Sequence, residues 1–329
     1  MPQTEPDFSI VIPSRNRPAL LRAAVASVIA QTHLSREIII VNDGSDPEHQ
    51  TAYQELIENA AETIRLIHLP RTPNGHGPSY AINRGVEQAC GRYVGFLDDD
   101  DYWIDTGHLA RIAQTLHNAS MPVDACFSCQ TAFRDGQPVP AALWLNALAT
   151  HLQPREPIDP GGAYAVTVSD LLHCPTFAHL NTLIVRRELY QQIGSMDETI
   201  RYECEWDLYL RVIDAGQTLR YFPQVIARHN VPDQTQRNNA STRVSDLQKI
   251  LFRINVMDKA LLFSNNPQIQ RAARRNKTVA LKQLAERLAQ QGQYRQSLYY
   301  ATEALIGGLN WKWPFYCIYL GLRALTVHG

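Results

Sequence analysis

Short β-branched runs alternate with amphipathic segments through the first hundred residues, and that alternation leaves few folds open. Phe8 to Ile12 is an apolar run ending at Pro13 and reads as a buried strand. Ala19 to Ala30 places Leu20, Leu21, Val25, Val28 and Ile29 at helical spacing. Glu37 to Val41 is a second buried strand, followed by the polar turn Asn42-Asp43-Gly44-Ser45-Asp46-Pro47. A helix over Glu48 to Ala61, a strand over Ile64 to His68, a helix over Ser79 to Ala89 and a strand over Tyr93 to Leu97 continue the series. This order predicts an α/β fold, with a parallel sheet covered by helices on both faces. Ligands of such sheets bind at the carboxyl ends of the strands. The turn after Val41 and the acids after Leu97 therefore share one rim.

The chain has 329 residues, which at roughly 100–200 residues per domain suggests about two domains. Apolar residues make up 45% and charged residues 19%, a balance that excludes a disordered or fibrous chain. Lys and Arg number 31 against 32 Asp and Glu, so a globally basic nucleic-acid binder is not expected. Six cysteines are too few for a disulfide scaffold. Cys126 and Cys129 form one C-x-x-C without a second pair, and read as reduced thiols of a cytosolic protein. The start, MPQTEPDFSIVIP, has no basic segment before an apolar run and is not read as a signal peptide. Leu309 to Val327 is interrupted by Lys312, Pro314 and Arg323, too often for an ordinary spanning helix.

From about 115 to 232 the pattern is irregular. A strand is expected over Asn181 to Val185, and a helix over Leu208 to Ile213 opened by Glu203 to Asp207. Pro154, Pro157, Pro160, Gly161 and Gly162 mark a long loop. After Pro232 the pattern turns helical, with Leu247, Ile250, Leu251, Ile254 and Leu261 on one face. Charge divides there too: residues 233–329 hold 14 Lys and Arg against five Asp and Glu, net +9, which leaves −10 for residues 1–232. That basic region reads as a solvated face or as a surface for an anionic partner, membrane headgroups included. Trp311, Trp313, Phe315, Tyr316 and Tyr319 add aromatics suited to an interface or to packing. Leu281, Leu284, Gly292, Tyr294, Ser297, Ala304 and Leu305 fit one tetratricopeptide-like hairpin. One copy is too few for a solenoid.

Asp98-Asp99-Asp100-Asp101 carries the sharpest chemistry. Adjacent carboxylates repel, and gathered at a strand end they suit a hard cation such as Mg²⁺ or Mn²⁺, which also binds phosphate. A solvated loop or a helix start is the plainer alternative. Asn42-Asp43-Gly44-Ser45 is either an ordinary turn or a carboxylate set to bind a base or ribose. The first strand continues into IPSRNRP with no G-x-G-x-x-G, and no Walker A sequence is present, which argues against a dinucleotide-dependent dehydrogenase.

Five blocks in this order resemble family 2 glycosyltransferases of the GT-A fold. They are FSIVIPSRNRP (8–18), IIIVNDGSDP (38–47), PNGHGPSYAINRG (73–85), GRYVGFLDDDDYW (91–103) and NTLIVRRELYQQIGSMDETIRYECEWDLYLRV (181–212), with a poor match from about 115 to 178. The resemblance implies a Rossmann-like, mostly parallel central sheet flanked by helices, with a C-terminal helical extension. It divides the chain into a nucleotide-sugar half (1–115), an acceptor half (116–232) and a basic helical region (233–329). Pro13 and Arg15 are expected beside the base, and Asp43 on uracil or ribose. Asp98 and Asp100 match the D-x-D acids, with Asp98 towards ribose and metal and Asp100 on the metal. Asp99 fills the middle position of the donor site, and Asp101 matches a fourth acid of less fixed role.

In many members a Glu-Asp pair precedes one residue and Asp-Leu, and its Asp is the catalytic base. Here the stretch is Cys204-Glu205-Trp206-Asp207-Leu208, so Glu205 takes the base position. Glu203 and Asp207 are its rivals, and Asp207 has Arg211 four residues on as an ion-pair partner. His229, in Arg228-His229, matches a histidine that completes the metal shell; His76 and His173 match no such role. The implied reaction is metal-dependent, inverting transfer from a nucleotide diphosphate sugar, UDP-linked by expectation, to a glycan, lipid-linked or protein acceptor, serving cell-surface polysaccharide or other glycan synthesis. No nucleic-acid partner is expected. The expected setting is cytoplasmic, with peripheral contact to the inner face of the membrane through the basic region. The alternatives are a nucleotidyltransferase on a related fold and a non-catalytic nucleotide-sugar-binding protein.

Overall fold

The β-branched runs near the N-terminus are buried along their whole length because they form the middle of the sheet. β1 (Phe8–Ser14) and β2 (Arg36–Asn42) have no exposed residue. The computed structural model describes residues 5–58, 64–139, 143–232, 235, 239–308 and 311–326. Between and after those strands come α1 (Pro18–Ile29), α2 (Pro47–Glu58), β3 (Ile64–His68), α3 (Pro78–Glu87), β4 (Tyr93–Phe96) and β5 (Tyr102–Trp103). The expected end of the second helix, Ala61, lies outside the described residues.

The middle of the chain holds α4 (His108–Asn118), β6 (Ala125–Arg134), β7 (Gln137–Pro138), α5 (Leu148–Leu152), β8 (Tyr164–Val166) and α6 (Val168–Leu171). A 3₁₀ turn (Leu180–Thr182) then leads into β9 (Leu183–Arg186), so the strand expected from Asn181 begins two residues later. α7 (Arg187–Gln192), α8 (Cys204–Ala215) and β10 (Leu219–Asn230) follow. The chain closes with α9 (Ala240–Arg243), α10 (Asp246–Phe263), α11 (Pro267–Gln290), α12 (Tyr294–Ile306) and α13 (Trp313–Thr326).

The sheet order is β3-β2-β1-β4-β9-β6-β10-β5, with β7 on β6 and β8 on β10. β3, β2, β1 and β4 are mutually parallel, as the strand–helix alternation predicts. Beyond β4 the sheet is mixed: β9 runs antiparallel to both β4 and β6, while β6 and β10 are parallel. The period-2 pleat sends Val11, Ile39, Val41 and Phe96 to one core, and Ile10, Ile12, Ile38 and Ile40 to the other.

One reading changes with this topology. Pro13 does not end β1; it pairs in register with Val41. The Ser14 carbonyl accepts from Asp43 on the β2 side, so Pro13, one residue earlier, turns its backbone to the β4 side. There the ladder ends at Val11 opposite Phe96, so the missing N–H of proline breaks no strand pairing. Cys126 and Cys129, three apart on β6, lie on opposite faces of the sheet, in different cores. On opposite faces they cannot bridge each other and are the free thiols expected, and burial pushes them up to about 12 and about 11.

The basic C-terminal helices dock on the acidic part of the chain. From α10, Arg253 pairs with Glu203 at 2.5 Å, and Lys259 reaches Asp197 at 2.5 Å and Asp207 at 2.7 Å. α11 and α12 form the expected single hairpin: Gly292 turns at φ 76°, and Ser297 Oγ donates to the Ala285 carbonyl at 2.7 Å. α13 packs against α12, and Trp313 Nε1 donates to the Ala301 carbonyl. Among the described residues no helix is long and apolar enough to cross a membrane.

Against the upward pull of burial, Lys259 and Thr199 hold the Asp197 carboxyl down at about 2. A depressed folded-state value adds stability above the unfolded value and loses it as pH falls through the folded one. Unfolding free energy from urea titrations is therefore expected to fall between pH 4 and pH 2, with a shallower fall in Asp197→Asn. An equally steep fall in the variant would remove Asp197 as a source.

Candidate active site

β4 ends where Leu97 N–H donates to the Val11 carbonyl, and the chain then turns through Asp98 to Asp101. It returns as β5, which pairs antiparallel with Ala227 and Arg228 of β10. That pairing brings His229 and Asn230, at the end of β10, against the acid turn. β9 pairs with β4 on the other side, so the 3₁₀ turn before it delivers His179 and Asn181 to the same place.

The four carboxylates take different roles. Asp101 is fully buried and accepts from three groups: Asn181 Nδ2 (2.6 Å), His229 Nδ1 (2.7 Å) and the Asn230 N–H (2.7 Å). Asp99 also turns inward, 2.5 Å from Arg17. Burial pushes its carboxyl up to about 7 although Arg17 opposes the shift. Asp98 and Asp100 stay partly exposed, 34% and 18%. Asp100 accepts from Arg17 at 2.9 Å and from Asn239 at 3.0 Å. Burial and then the neighbouring Asp101 raise Asp98 well above the carboxylate range. A divalent cation relieves that pressure, and oxygen-rich sets with an imidazole suit Mg²⁺ or Mn²⁺. Ligand atoms of Asp98, Asp100 and Asp101 lie within 4.8 Å of one another, as do those of Asp98, His179 and His229.

His229 is oriented by Asp101 behind it. Burial pulls its imidazole down, but Asp101 and Asp100 outweigh that and hold it raised. Burial also pushes His179 down, to about 3, so that ring stays neutral. Trp144, in a left-handed backbone conformation (φ 54°), sets an edge against both rings at 5.5 and 5.2 Å.

A second cluster forms along the same rim. The Asn42-Asp43-Gly44 turn passes so close to the Pro70 carbonyl that a Cβ on Gly44 (φ 62°) would sit 2.6 Å from it. Asp43 accepts from the backbone N–H of His76 (2.9 Å) and Gly77 (3.0 Å) and faces His76 Nδ1 at 2.8 Å. Arg15 donates to the carbonyls of Thr72 and Pro73, and the His76 ring stacks on Tyr80 at 4.8 Å. Arg15 and Asp43 thus grip one loop, while Pro13 stays buried in β1 below them. His173 stacks on His151 instead and joins neither cluster.

α8 opens after Glu203, which caps it in a left-handed conformation (φ 58°). The three acids there divide by partner. Glu203 is bound by Arg253 through both carboxylate oxygens. Asp207 is fully buried between Arg211 (2.6 Å) and Lys259 (2.7 Å). Glu205, half-buried, has no cation partner among the described residues. Burial, reinforced by Glu203, pushes it up, and it lies near enough to Asp98 to raise that group in turn.

Arg17, Asn181, Asn230, Asn239, His76 and His179 belong to these clusters and were given no role from sequence. Arg17, His76 and Asn181 lie within matched blocks, at positions to which no role was assigned. Asn181 opens the expected strand and Asn230 follows the last matched block, and neither position signals a partner for Asp101.

Residues 9–166 match the family described as glycosyl transferase family 2. An uncharacterized glycosyltransferase of Rickettsia prowazekii is 25% identical over 247 residues, covering 74% of this chain and 70% of the relative. The uncharacterized glycosyltransferase YibD of Escherichia coli is 35% identical over 124 residues, covering 36% of this chain and 35% of YibD. Among solved structures, Staphylococcus aureus TarS residues 1–349 in complex with UDP-GlcNAc superposes with a TM-score of 0.69 at 14% identity, covering 96% of this chain and 88% of that one. The mannosyltransferase PcManGT of Pyrobaculum calidifontis, in complex with GDP-Man and Mn²⁺, gives 0.59 at 18% identity, covering 98% and 87%. The fold is GT-A.

Asp101→Ala leaves three donors, one buried and two partly buried, without their acceptor. Breaking such a network by removing one partner costs about 3–5 kcal/mol. The expected result in chemical denaturation is a loss of that size, and a loss under about 1 kcal/mol would show that solvent already answers those donors.

Proposed function

We propose that this chain, which belongs to glycosyl transferase family 2 through residues 9–166, is a metal-dependent, inverting glycosyltransferase whose catalytic base is Glu205. The observation that carries the proposal is the division of acids at the start of α8. Glu203 and Asp207 are neutralised by cations, while Glu205 faces the Asp98 rim without one among the described residues. A carboxylate raised towards the working pH is a stronger proton acceptor than an ordinary one.

In this reading residues 1–115 hold the donor, residues 116–232 hold the acceptor, and residues 233–329 dock on the acceptor half. Pro13, Arg15 and Asp43 flank the base and ribose, and Asp99 with Arg17 supports the acid turn beneath the diphosphate. Asp98, Asp100 and His229 are the groups that would hold Mn²⁺ or Mg²⁺, which supplies positive charge where negative charge grows on the leaving diphosphate. Glu205 takes the proton from the acceptor hydroxyl as that oxygen attacks the anomeric carbon from the face opposite the diphosphate. One displacement inverts the centre, and no covalent nucleophile is required. TarS, the structural neighbour in complex with UDP-GlcNAc, favours a UDP-linked donor, and the Mn²⁺ of PcManGT favours that ion.

Glu205→Gln keeps the shape and removes the base. The expected result is unchanged donor affinity by calorimetry with a fall in kcat of about 10²–10⁴-fold. Full activity in the variant would assign the proton elsewhere.

The acceptor is a glycan, a lipid-linked glycan or a protein, within cell-surface polysaccharide or related synthesis. A lipid-linked acceptor fits α13 best. Its inner face (Trp313, Cys317, Leu320) is buried, while Phe315, Ile318, Leu322 and Leu325 on the outer face are exposed by more than 60%. A helix apolar on both sides calls for a second apolar environment. Lys312 and Arg323 flank the exposed face, as in helices that lie in an anionic membrane surface. The double variant Phe315→Glu, Leu322→Glu is expected to lower co-sedimentation with phosphatidylglycerol vesicles several-fold. Unchanged partitioning would remove the peripheral-membrane reading.

A further inference from the structure

His179 and His229 both face the Asp98 carboxylate, with ring centroids 4.8 Å apart, yet the bonds behind the two rings demand opposite tautomers. Behind His229 lies Asp101. That carboxylate already accepts from Asn181 Nδ2 and the Asn230 N–H, so His229 Nδ1, 2.7 Å away, donates to it as well. In the neutral ring the proton sits on Nδ1, and Nε2 presents a lone pair to the rim, the usual arrangement of a metal-binding imidazole backed by a carboxylate.

The arrangement at His179 is reversed. This residue caps the 3₁₀ turn, and its Nδ1 accepts the Asn181 N–H at 3.3 Å. A nitrogen that accepts carries no proton, so the neutral ring holds its proton on Nε2. That nitrogen lies 3.8 Å from Asp98 Oδ2, within the reach of a small side-chain adjustment. Presenting a lone pair there instead would move the proton to Nδ1 and set it against the Asn181 N–H, donor against donor. The ring is more than nine-tenths buried, and the edge of Trp144 restrains it and its neighbour together.

We propose that His179 is a positioning residue and not a metal ligand: its Nε2–H steadies the Asp98 carboxylate at a divalent-ion site whose sole imidazole ligand is His229. The assignment rests on the reading of this rim as a divalent-ion site. It splits two histidines that distance alone would treat as equivalent.

The test uses the full chain loaded with Mn²⁺ and UDP. His179→Asn keeps a short acceptor that caps Asn181 but removes the donor aimed at Asp98. His179→Gln carries an amide donor out to about the position of Nε2. Spin-echo spectroscopy of the bound manganese is expected to show nitrogen coupling from one imidazole in the wild type and in His179→Asn, and none in His229→Gln. Manganese affinity is expected to fall about tenfold in His179→Asn at an unchanged melting temperature, and to recover in His179→Gln. Coupling that is lost or halved in His179→Asn would make His179 a ligand and overturn the proposal. Unchanged affinity in that variant, or a loss matched by a lower melting temperature, would overturn the positioning role. A wild-type protein that binds no manganese fails at the earlier step, the metal site itself, and takes this assignment with it.

Discussion

Four consecutive carboxylates can share one turn only if they diverge and each is answered. Here Asp99 and Asp101 turn into the protein, towards Arg17 and towards two asparagines and a histidine. Asp98 and Asp100 remain at the rim. Burying a carboxylate costs several kcal/mol unless charge and hydrogen bonds offset it. The surrounding topology supplies those offsets. β5 must pair with β10 to place His229 and Asn230, and the 3₁₀ turn must precede β9 to place Asn181. The mixed half of the sheet thus supports the acid turn with groups that the parallel half lacks.

A related balance operates at α8, where acids meet the basic C-terminal helices. The opposite net charges of the two parts of the chain are partly consumed in this contact, through Arg253 on Glu203 and Lys259 on Asp197 and Asp207. The docking helices therefore do more than cover apolar surface. By neutralising the acids on either side, they leave Glu205 as the carboxylate at that helix start without a cation partner among the described residues. In the proposed reading that acid is the proton acceptor, and α10 contributes to its selection by neutralising its neighbours.

The N-terminal half was legible because its signals are local. Burial on both faces makes a strand read as a continuous apolar run, and the helices between show helical spacing. The pairing of Asp98 with Asp100 came from the resemblance alone, and the inward turn of Asp99 and Asp101 came only with the structure. Another local pattern misled. Pro13 suggests a strand end until the end of β4 leaves its missing donor without consequence. His76 and His179 were not legible: His76 stands in a matched block at a position that matches no role, and His179 stands just outside the blocks.

By itself, the order of apolar runs, turns and acid clusters determined the α/β fold, the rim and the resemblance to a family, since each depends on residues close in sequence. Only the tertiary structure decided which of several chemically identical groups is spent on support and which is left free. Asp101 meets its partners 80 to 129 positions away, and Glu203 meets Arg253 50 positions away. A carboxylate's role is set by the donors and cations around it, and those arrive from distant segments brought together by sheet order and helix docking.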